Sequence, residues 1–311
     1  MSASASLNNN NPSRPWPVIV TGPTGVGKSS FAVTLAECLG GEIIGADAFQ
    51  IYAGLPILTA QPGPDLLGRV PHHLVGVIPL EETCDAARYA MSARRCIAEI
   101  SARGRVPLLV GGTGLYLKAL THGLADLPPV DPALRAEIAR MDPATALARL
   151  RESDPEAPAQ IDSRNPARIR RALEIVLSTA RPLAESRSTW TASAPAFRGL
   201  ILHRDRDDLR QRIADNVESL FAAGVVEEVR AANNAGPTAS RAIGFREIQS
   251  LLRGACTLSA CKEAIITSTR RYAKRQLTWC RNQFSFPSIN LSQSADPFDV
   301  AAWMEAGQPS A

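Results

Sequence analysis

Apolar positions in this chain fall into short runs that alternate with longer stretches of helical spacing. Continuous or alternating apolar runs at Trp16–Thr21, Glu42–Ala46 and Arg105–Val110 predict strands, and Arg198–His203 is a further candidate. Between them, apolar residues recur at helical intervals over Ser29–Leu39, Asp85–Arg103 and Leu115–Thr121. Strands alternating with helices predict an α/β fold, a parallel sheet with helices on both faces. The pattern changes after Leu127-Pro-Pro-Val-Asp-Pro132. From Pro132 to about Arg187 it is helical, rich in Arg and Ala, and free of strand signals, which predicts a small all-helical insertion. Helices are expected again at about Arg206–Ala223, Val225–Asn233, Arg241–Leu252 and Leu258–Phe284. The expected organisation is a disordered leader over 1–15, the first part of the core over 16–127, the insertion over 128–190, the second part of the core over 191–287 and a tail over 288–311.

Composition narrows the class without naming a chemistry. With 45% hydrophobic and 21% charged residues in 311, the chain reads as an ordinary globular protein with one good core and room for a smaller module. A net charge of +4 is too small to prove a polyanionic partner, although a local basic face remains open. The six cysteines show no C-x-x-C spacing and read as reduced, mostly buried thiols, the pattern of a cytoplasmic protein. No apolar run approaches the ~18 residues of a membrane span.

The strongest chemical signal follows the first predicted strand. Gly22-Pro23-Thr24-Gly25-Val26-Gly27-Lys28-Ser29 has the Gly-x-x-x-x-Gly-Lys-Ser spacing of a phosphate-binding loop, set between a strand and a helix. The glycines let successive backbone N–H groups turn toward phosphate oxygens. Lys28 adds a point charge, Ser29 a hydroxyl suited to Mg²⁺, and the following helix its positive end. The chain is expected to bind a di- or triphosphate.

Other residues add chemistry with alternatives left open. Asp47 follows the second predicted strand, at the carboxyl edge where parallel sheets bind ligands, and suits proton abstraction, metal ligation through water, or a local turn. The third strand runs into Gly111-Gly112-Thr113-Gly114 instead of the metal-orienting Asp typical of P-loop ATPases, which weakens an ATPase reading. Asn165-Pro-Ala-Arg168-Ile-Arg170-Arg171 clusters arginines at the start of an insertion helix, either a solvated face or a phosphate-backbone contact. Thr269-Arg-Arg-Tyr-Ala-Lys-Arg-Gln-Leu-Thr-Trp-Cys-Arg281 interleaves basic and aromatic residues, suiting RNA or a wet basic face over a buried aromatic seam. His72-His73 lacks a third ligand and reads as a polar contact to substrate or loop backbone.

Taken in order, these motifs resemble the tRNA dimethylallyltransferase (tRNA isopentenyltransferase) family. The resemblance rests on Gly22–Ser29, Asp47 with Gln50-Ile-Tyr, Thr59-Ala, Pro71-His-His-Leu74 and Leu108-Leu-Val-Gly-Gly-Thr113. It continues through Asn165-Pro-x-Arg168, Arg171-Ala-Leu-Glu174, Arg241-Ala-Ile-Gly-Phe-Arg246 and Thr269-Arg-x-Tyr-Ala-Lys-Arg-Gln-Leu-Thr-Trp279, covering roughly 16–284.

The resemblance implies a P-loop NTPase-like fold that uses dimethylallyl diphosphate and Mg²⁺ to prenylate N6 of the adenosine 3′-adjacent to the tRNA anticodon. By the same similarity Thr24, Lys28 and Asp47 are catalytic, Gly22–Ser29 hold the diphosphate and Ser29 the metal. Asp47, Ala48, Phe49 and Gln50 contact the extruded base. Thr113, Arg135, Ala167, Arg168, Ile169, Arg170, Arg171, Arg241, Ala242, Ile243, Gly244, Phe245 and Arg246 contact tRNA, and the enzyme acts as a monomer. This chain departs from the family pattern at Ala48 for Ser, Ala53 for Arg, Gln61 for Lys and Asn216 for Arg. The expected consequence is a diphosphate site with fewer cations. The competing readings are a catalytically weakened tRNA-binding paralogue and a P-loop kinase.

Overall fold

A computed structural model describes residues 16–124, 127–128, 130–188, 197–293, 296–297 and 299–301. The leader expected over 1–15 lies outside the described residues, as do 189–196 and much of the tail. The chain separates into two compact units, one of residues 1–121 with 195–311, the other of 122–194.

The larger unit is built on a sheet. Its elements in chain order are β1 (Val18–Thr21), α1 (Lys28–Cys38), β2 (Gly41–Gly45), α2 (Pro64–Leu67), β3 (His72–His73), α3 (Ala86–Ala102), β4 (Val106–Gly111) and α4 (Gly114–Thr121). The smaller unit then contributes α5 (Pro132–Arg140), α6 (Pro143–Ser153), α7 (Pro166–Thr179) and α8 (Leu183–Ser188). The chain returns with β5 (Arg198–His203), α9 (Arg206–Ala222), α10 (Val225–Ala231), α11 (Phe245–Leu252), α12 (Leu258–Gln283) and β6 (Ser288–Asn290).

The sheet order is β3-β2-β4-β1-β5-β6, with every neighbouring pair parallel. β1 sits between β4 and β5, with Val18 opposite Leu108 on one side and Arg198 on the other. Burial on both faces explains why the central strands read as continuous apolar runs. One cluster packs Val20, Leu108, Leu200 and Leu202 of the sheet against Phe31 and Leu35 of α1. A second joins Ile213 and Val217 of α9, Val225 and Val229 of α10, Phe245 and Ile248 of α11, and Ile265 of α12. The parallel sheet with flanking helices is the P-loop NTPase-like α/β arrangement expected from the alternation of strand and helix patterns.

Every regular element among the described residues of the smaller unit is a helix. The unit's core joins Ile138, Leu150, Ile169, Leu173, Val176 and Leu183. Asp131, Asp142 and Asn165 cap α5, α6 and α7 by accepting backbone N–H bonds, and each helix carries Pro in its first turn.

Two local features differ from the sequence expectation. The helix expected from Arg241 begins only at Phe245: a short 3₁₀ turn ends at Arg241, and Gly244, with φ 97°, redirects the chain. Strands β3 and β6 were not expected, because two and three residues are too short to display a period. His72-His73 is edge-strand structure. His73 Nε2 meets Glu42 Oε2 at 2.7 Å, the same carboxylate takes Arg103 at 2.7 Å, and His72 bonds the Val70 carbonyl.

Candidate active site

The loop between β1 and α1 curls through positive φ at Gly22 (150°), Gly25 (79°) and Gly27 (101°). Gly22 is required by space as well as by angle, since a Cβ there would lie 2.3 Å from the Leu202 carbonyl oxygen. Lys28 opens α1 and folds back, donating from Nζ to the carbonyls of Gly22 (3.1 Å) and Pro23 (2.8 Å). Burial lowers its pKa to about 8, with the nearby Asp47 charge partly opposing that shift. Ser29 is half-buried in the first turn of the same helix.

Side chains from distant elements hold the rest of the loop. Gln276 of α12 accepts the Thr24 N–H at 2.8 Å and donates to the Gly112 carbonyl at 3.0 Å. Arg212 of α9 donates from Nε to the Gly25 carbonyl at 3.2 Å, and Arg204 donates from Nε to the Val26 carbonyl at 2.9 Å.

Asp47 follows β2. Its Oδ1 accepts the N–H groups of Phe49 (2.9 Å) and Gln50 (3.3 Å), a local turn that fixes the carboxylate. The Ala48 N–H donates to Thr113 Oγ1 at 2.9 Å, tying this turn to the end of β4. Gln50 donates to the carbonyls of Thr59 (3.1 Å) and Ala60 (2.8 Å). Gln61 answers by donating to those of Gln50 (3.0 Å) and Tyr52 (2.8 Å). Glu228 of α10 anchors the same segment, accepting the N–H groups of Ile57 (2.8 Å) and Leu58 (2.7 Å).

These elements enclose a cavity of about 110 Å³. Thr24, Gly25, Asp47 and Thr59 give it a polar edge, while Phe49, Leu58, Ile213, Val217, Leu220, Ile243 and Ile265 form an apolar wall. Asn216 and Tyr272 also line it. Burial pushes the Tyr272 phenol up to about 12, Asp47 adding to the shift, so the hydroxyl keeps its proton at neutral pH.

Of the residues singled out from sequence, Gly22–Ser29, Asp47, Ala48, Phe49, Gln50 and Thr113 gather around this cavity and its loop. Ala242 and Ile243 line it as well. Arg241 and Arg246 are exposed, whereas Phe245 is core and Gly244 is buried in a turn. In the helical unit Arg135, Ala167, Arg168 and Arg171 are exposed, and Arg135 and Arg171 both approach Glu174. The arginine face there is incomplete. Ile169 is 2% exposed, and Arg170 turns inward to donate to the Met141 carbonyl at 3.0 Å. On α12, Arg270, Arg271, Lys274, Arg275 and Arg281 are exposed while Ala273, Gln276 and Cys280 are buried.

The positions that depart from the family pattern have different surroundings. Asn216 does line the cavity, Ala53 is exposed, and the Gln61 amide is spent on loop carbonyls. Sequence reasoning missed Arg204 and Arg212, which stand at the loop itself. Arg212 lies on α9, whereas Arg204 stands just ahead of that helix, in the turn that follows β5.

The IPP transferase family matches residues 50–283 of this chain. The chain belongs to that family. It is 44% identical to the tRNA dimethylallyltransferase of Geobacter sulfurreducens, covering 91% of this chain and 93% of the relative. Among solved structures it is similar to the full-length tRNA isopentenylpyrophosphate transferase of Bacillus halodurans, with 32% identity, a TM-score of 0.69 and coverage of 94% and 96%. A eukaryotic dimethylallyltransferase captured acting on tRNA matches with 26% identity, a TM-score of 0.79 and coverage of 94% and 77%. As an IPP transferase family member, the chain carries the family's α/β sheet. Among its described residues no helix is long and apolar enough to cross a membrane.

Proposed function

We propose that this protein transfers a dimethylallyl group from dimethylallyl diphosphate to N6 of the adenosine 3′-adjacent to a tRNA anticodon, releasing pyrophosphate. The carrying observation is the adjacency of three parts: an anion-binding loop, a carboxylate, and a small apolar cavity between them. An allylic diphosphate needs that combination. Its charged end takes the N–H groups of the loop and its hydrocarbon end takes the wall of Leu58, Ile213, Val217 and Ile265.

The carbon–oxygen bond of the donor breaks as the carbon–nitrogen bond forms. Lys28 and the loop N–H groups stabilise the charge gathering on the departing pyrophosphate. The Thr24 hydroxyl joins that oxygen cluster. Asp47 accepts the proton lost by the exocyclic amine, which is a weak nucleophile until that proton leaves. The base must leave its stack to reach Asp47, and Phe49 and Gln50 stand beside the carboxylate to receive it.

Mg²⁺ fits the donors present. Ser29 offers a hydroxyl at the loop, and no cluster of three metal-ligating side chains occurs among the described residues. A cation that keeps its waters and binds mainly through substrate phosphates suits such a sparse set. When bound through Ser29 it would neutralise diphosphate charge. The tRNA anticodon stem-loop is the partner, met by exposed basic side chains that include Arg241 and Arg246 on the larger unit and Arg168 and Arg171 on the helical unit. The protein works as a cytoplasmic monomer.

The test is nucleoside mass analysis after incubation with dimethylallyl diphosphate, Mg²⁺ and an anticodon stem-loop containing the target adenosine. A mass gain of one dimethylallyl group on adenosine is expected. An unmodified adenosine alongside retained, salt-sensitive RNA binding would instead identify a tRNA-binding paralogue without transfer activity.

A further inference from the structure

The loop is gripped by its carbonyls as well as lined by its N–H groups. Arg204 Nε takes the Val26 carbonyl at 2.9 Å while its Nη1 pairs with Asp208 at 2.8 Å. Arg212 takes the Gly25 carbonyl at 3.2 Å. The two guanidinium ends converge, since a Cβ on Gly27 would stand 3.8 Å from Arg204 Nη2 and 3.9 Å from Arg212 Nη2. Asp208 is itself held from the far end of the chain. The Ser292 hydroxyl donates to Asp208 at 2.6 Å and also accepts the Asp205 N–H at 2.9 Å. That contact, followed by Arg204, holds the Asp208 carboxyl below its usual range, so the carboxylate stays charged and the brace stays set.

We infer that Arg204, held by Asp208 and Ser292, is a positioning residue for the diphosphate loop, with Arg212 as its companion. The inference rests on the loop being a diphosphate site. A trans peptide is planar, so fixing the direction of the Val26 carbonyl also fixes the opposed direction of the Gly27 N–H. A cation on that carbonyl polarises the peptide and makes the N–H a stronger donor to an anion. Arg204 does this without touching substrate. Residues beside β5 and just after β6 therefore set the geometry of a loop near the start of the chain.

The experiment titrates the full-length chain with inorganic pyrophosphate in Mg²⁺ buffer, and measures KM separately for dimethylallyl diphosphate and the anticodon stem-loop. Arg204→Met keeps the apolar stem and removes the guanidinium. It is expected to weaken pyrophosphate binding about tenfold, in line with loss of one charged hydrogen bond. Donor KM rises in parallel and stem-loop KM does not change. Arg204→Lys restores less than half of the loss, because an ammonium lacks the fixed fork that holds a carbonyl and Asp208 together. Asp208→Asn keeps Arg204 but slackens it, for a loss of about threefold; this variant also decides the matter if Arg204→Met fails to fold.

Wild-type pyrophosphate affinity in Arg204→Met or in Asp208→Asn overturns the inference. So does full recovery by Arg204→Lys, which assigns the effect to charge alone, or an equal rise in stem-loop KM, which assigns it to general loosening. Absence of pyrophosphate binding by the wild-type chain overturns the diphosphate reading first and the inference with it.

Discussion

Gln276 accepts a hydrogen bond from the Thr24 N–H at 2.8 Å across 252 residues of sequence. The bond joins the first loop of the sheet to the middle of the last long helix, and the same amide donates to Gly112. Gln276 is 5% exposed and its bond to Gly112 is buried, whereas its bond to Thr24 is part-buried.

Gln276→Leu therefore strands the buried Gly112 carbonyl and removes the acceptor of the Thr24 N–H. The expected cost is about 2 kcal/mol of stability, with weaker pyrophosphate binding as the loop loosens. Urea unfolding of the variant measures the first effect and calorimetric titration the second. An unchanged midpoint with unchanged binding would show that the bridge holds nothing.

Lys28 should make anion binding pH-dependent. Its pKa in the folded chain is lowered to about 8 from an ordinary 10.5. Between those values the unfolded chain holds more protons, so the burial penalty on this group is relieved and stability rises as pH climbs through that window. Anion binding has the opposite trend. Pyrophosphate restores the charged form, so its affinity falls above about pH 8 and binding there takes up a proton. Titrations at pH 8.5 in buffers of different ionisation enthalpy report that proton, and Lys28→Met should abolish the buffer dependence.

Glu228 gives both carboxylate oxygens to the backbone at Ile57 and Leu58, and burial raises its pKa. Glu228→Gln replaces one acceptor with an NH₂ facing an N–H. The variant should lose about 1–3 kcal/mol, and the Leu58–Ala60 edge of the cavity should become mobile. Faster amide exchange at Leu58, read against an unchanged rate in the helical unit, checks this.

Asp47→Asn keeps a carbonyl oxygen for the Phe49 and Gln50 N–H groups while removing the base. Transfer should fall by about 10²-fold or more with stem-loop affinity nearly intact. Single-turnover kinetics beside an RNA binding isotherm separate the two, and near-normal turnover would remove Asp47 from the proton-accepting role.

Much of this was legible in the chain. The apolar runs at Val18–Thr21 and Val106–Val110 announce central strands because burial on both faces leaves no polar alternation. The glycine spacing at Gly22, Gly25 and Gly27 announces the loop because only that residue takes those angles cheaply. Other features had no local signature. Tyr272 could be read as packing or stacking, and only the folded chain makes it line the same cavity as Asp47. Arg170 looked like its neighbours Arg168 and Arg171 until helix packing turned it toward Met141. Glu228, on an ordinary amphipathic helix, betrays nothing of the loop it anchors.

What the sequence determined by itself is the class of fold, the glycine loop after β1 and the family, because each depends on residues close together in the chain: periodicity, backbone freedom and motif order. The tertiary structure alone decided which side chains serve that loop. Arg204, Arg212 and Gln276 reach it from beyond the helical insertion, through contacts that form only when β5 pairs with β1 and α12 packs against the sheet. Hydrogen bonds of that range depend on three-dimensional direction, and a linear pattern of residue types carries no record of it.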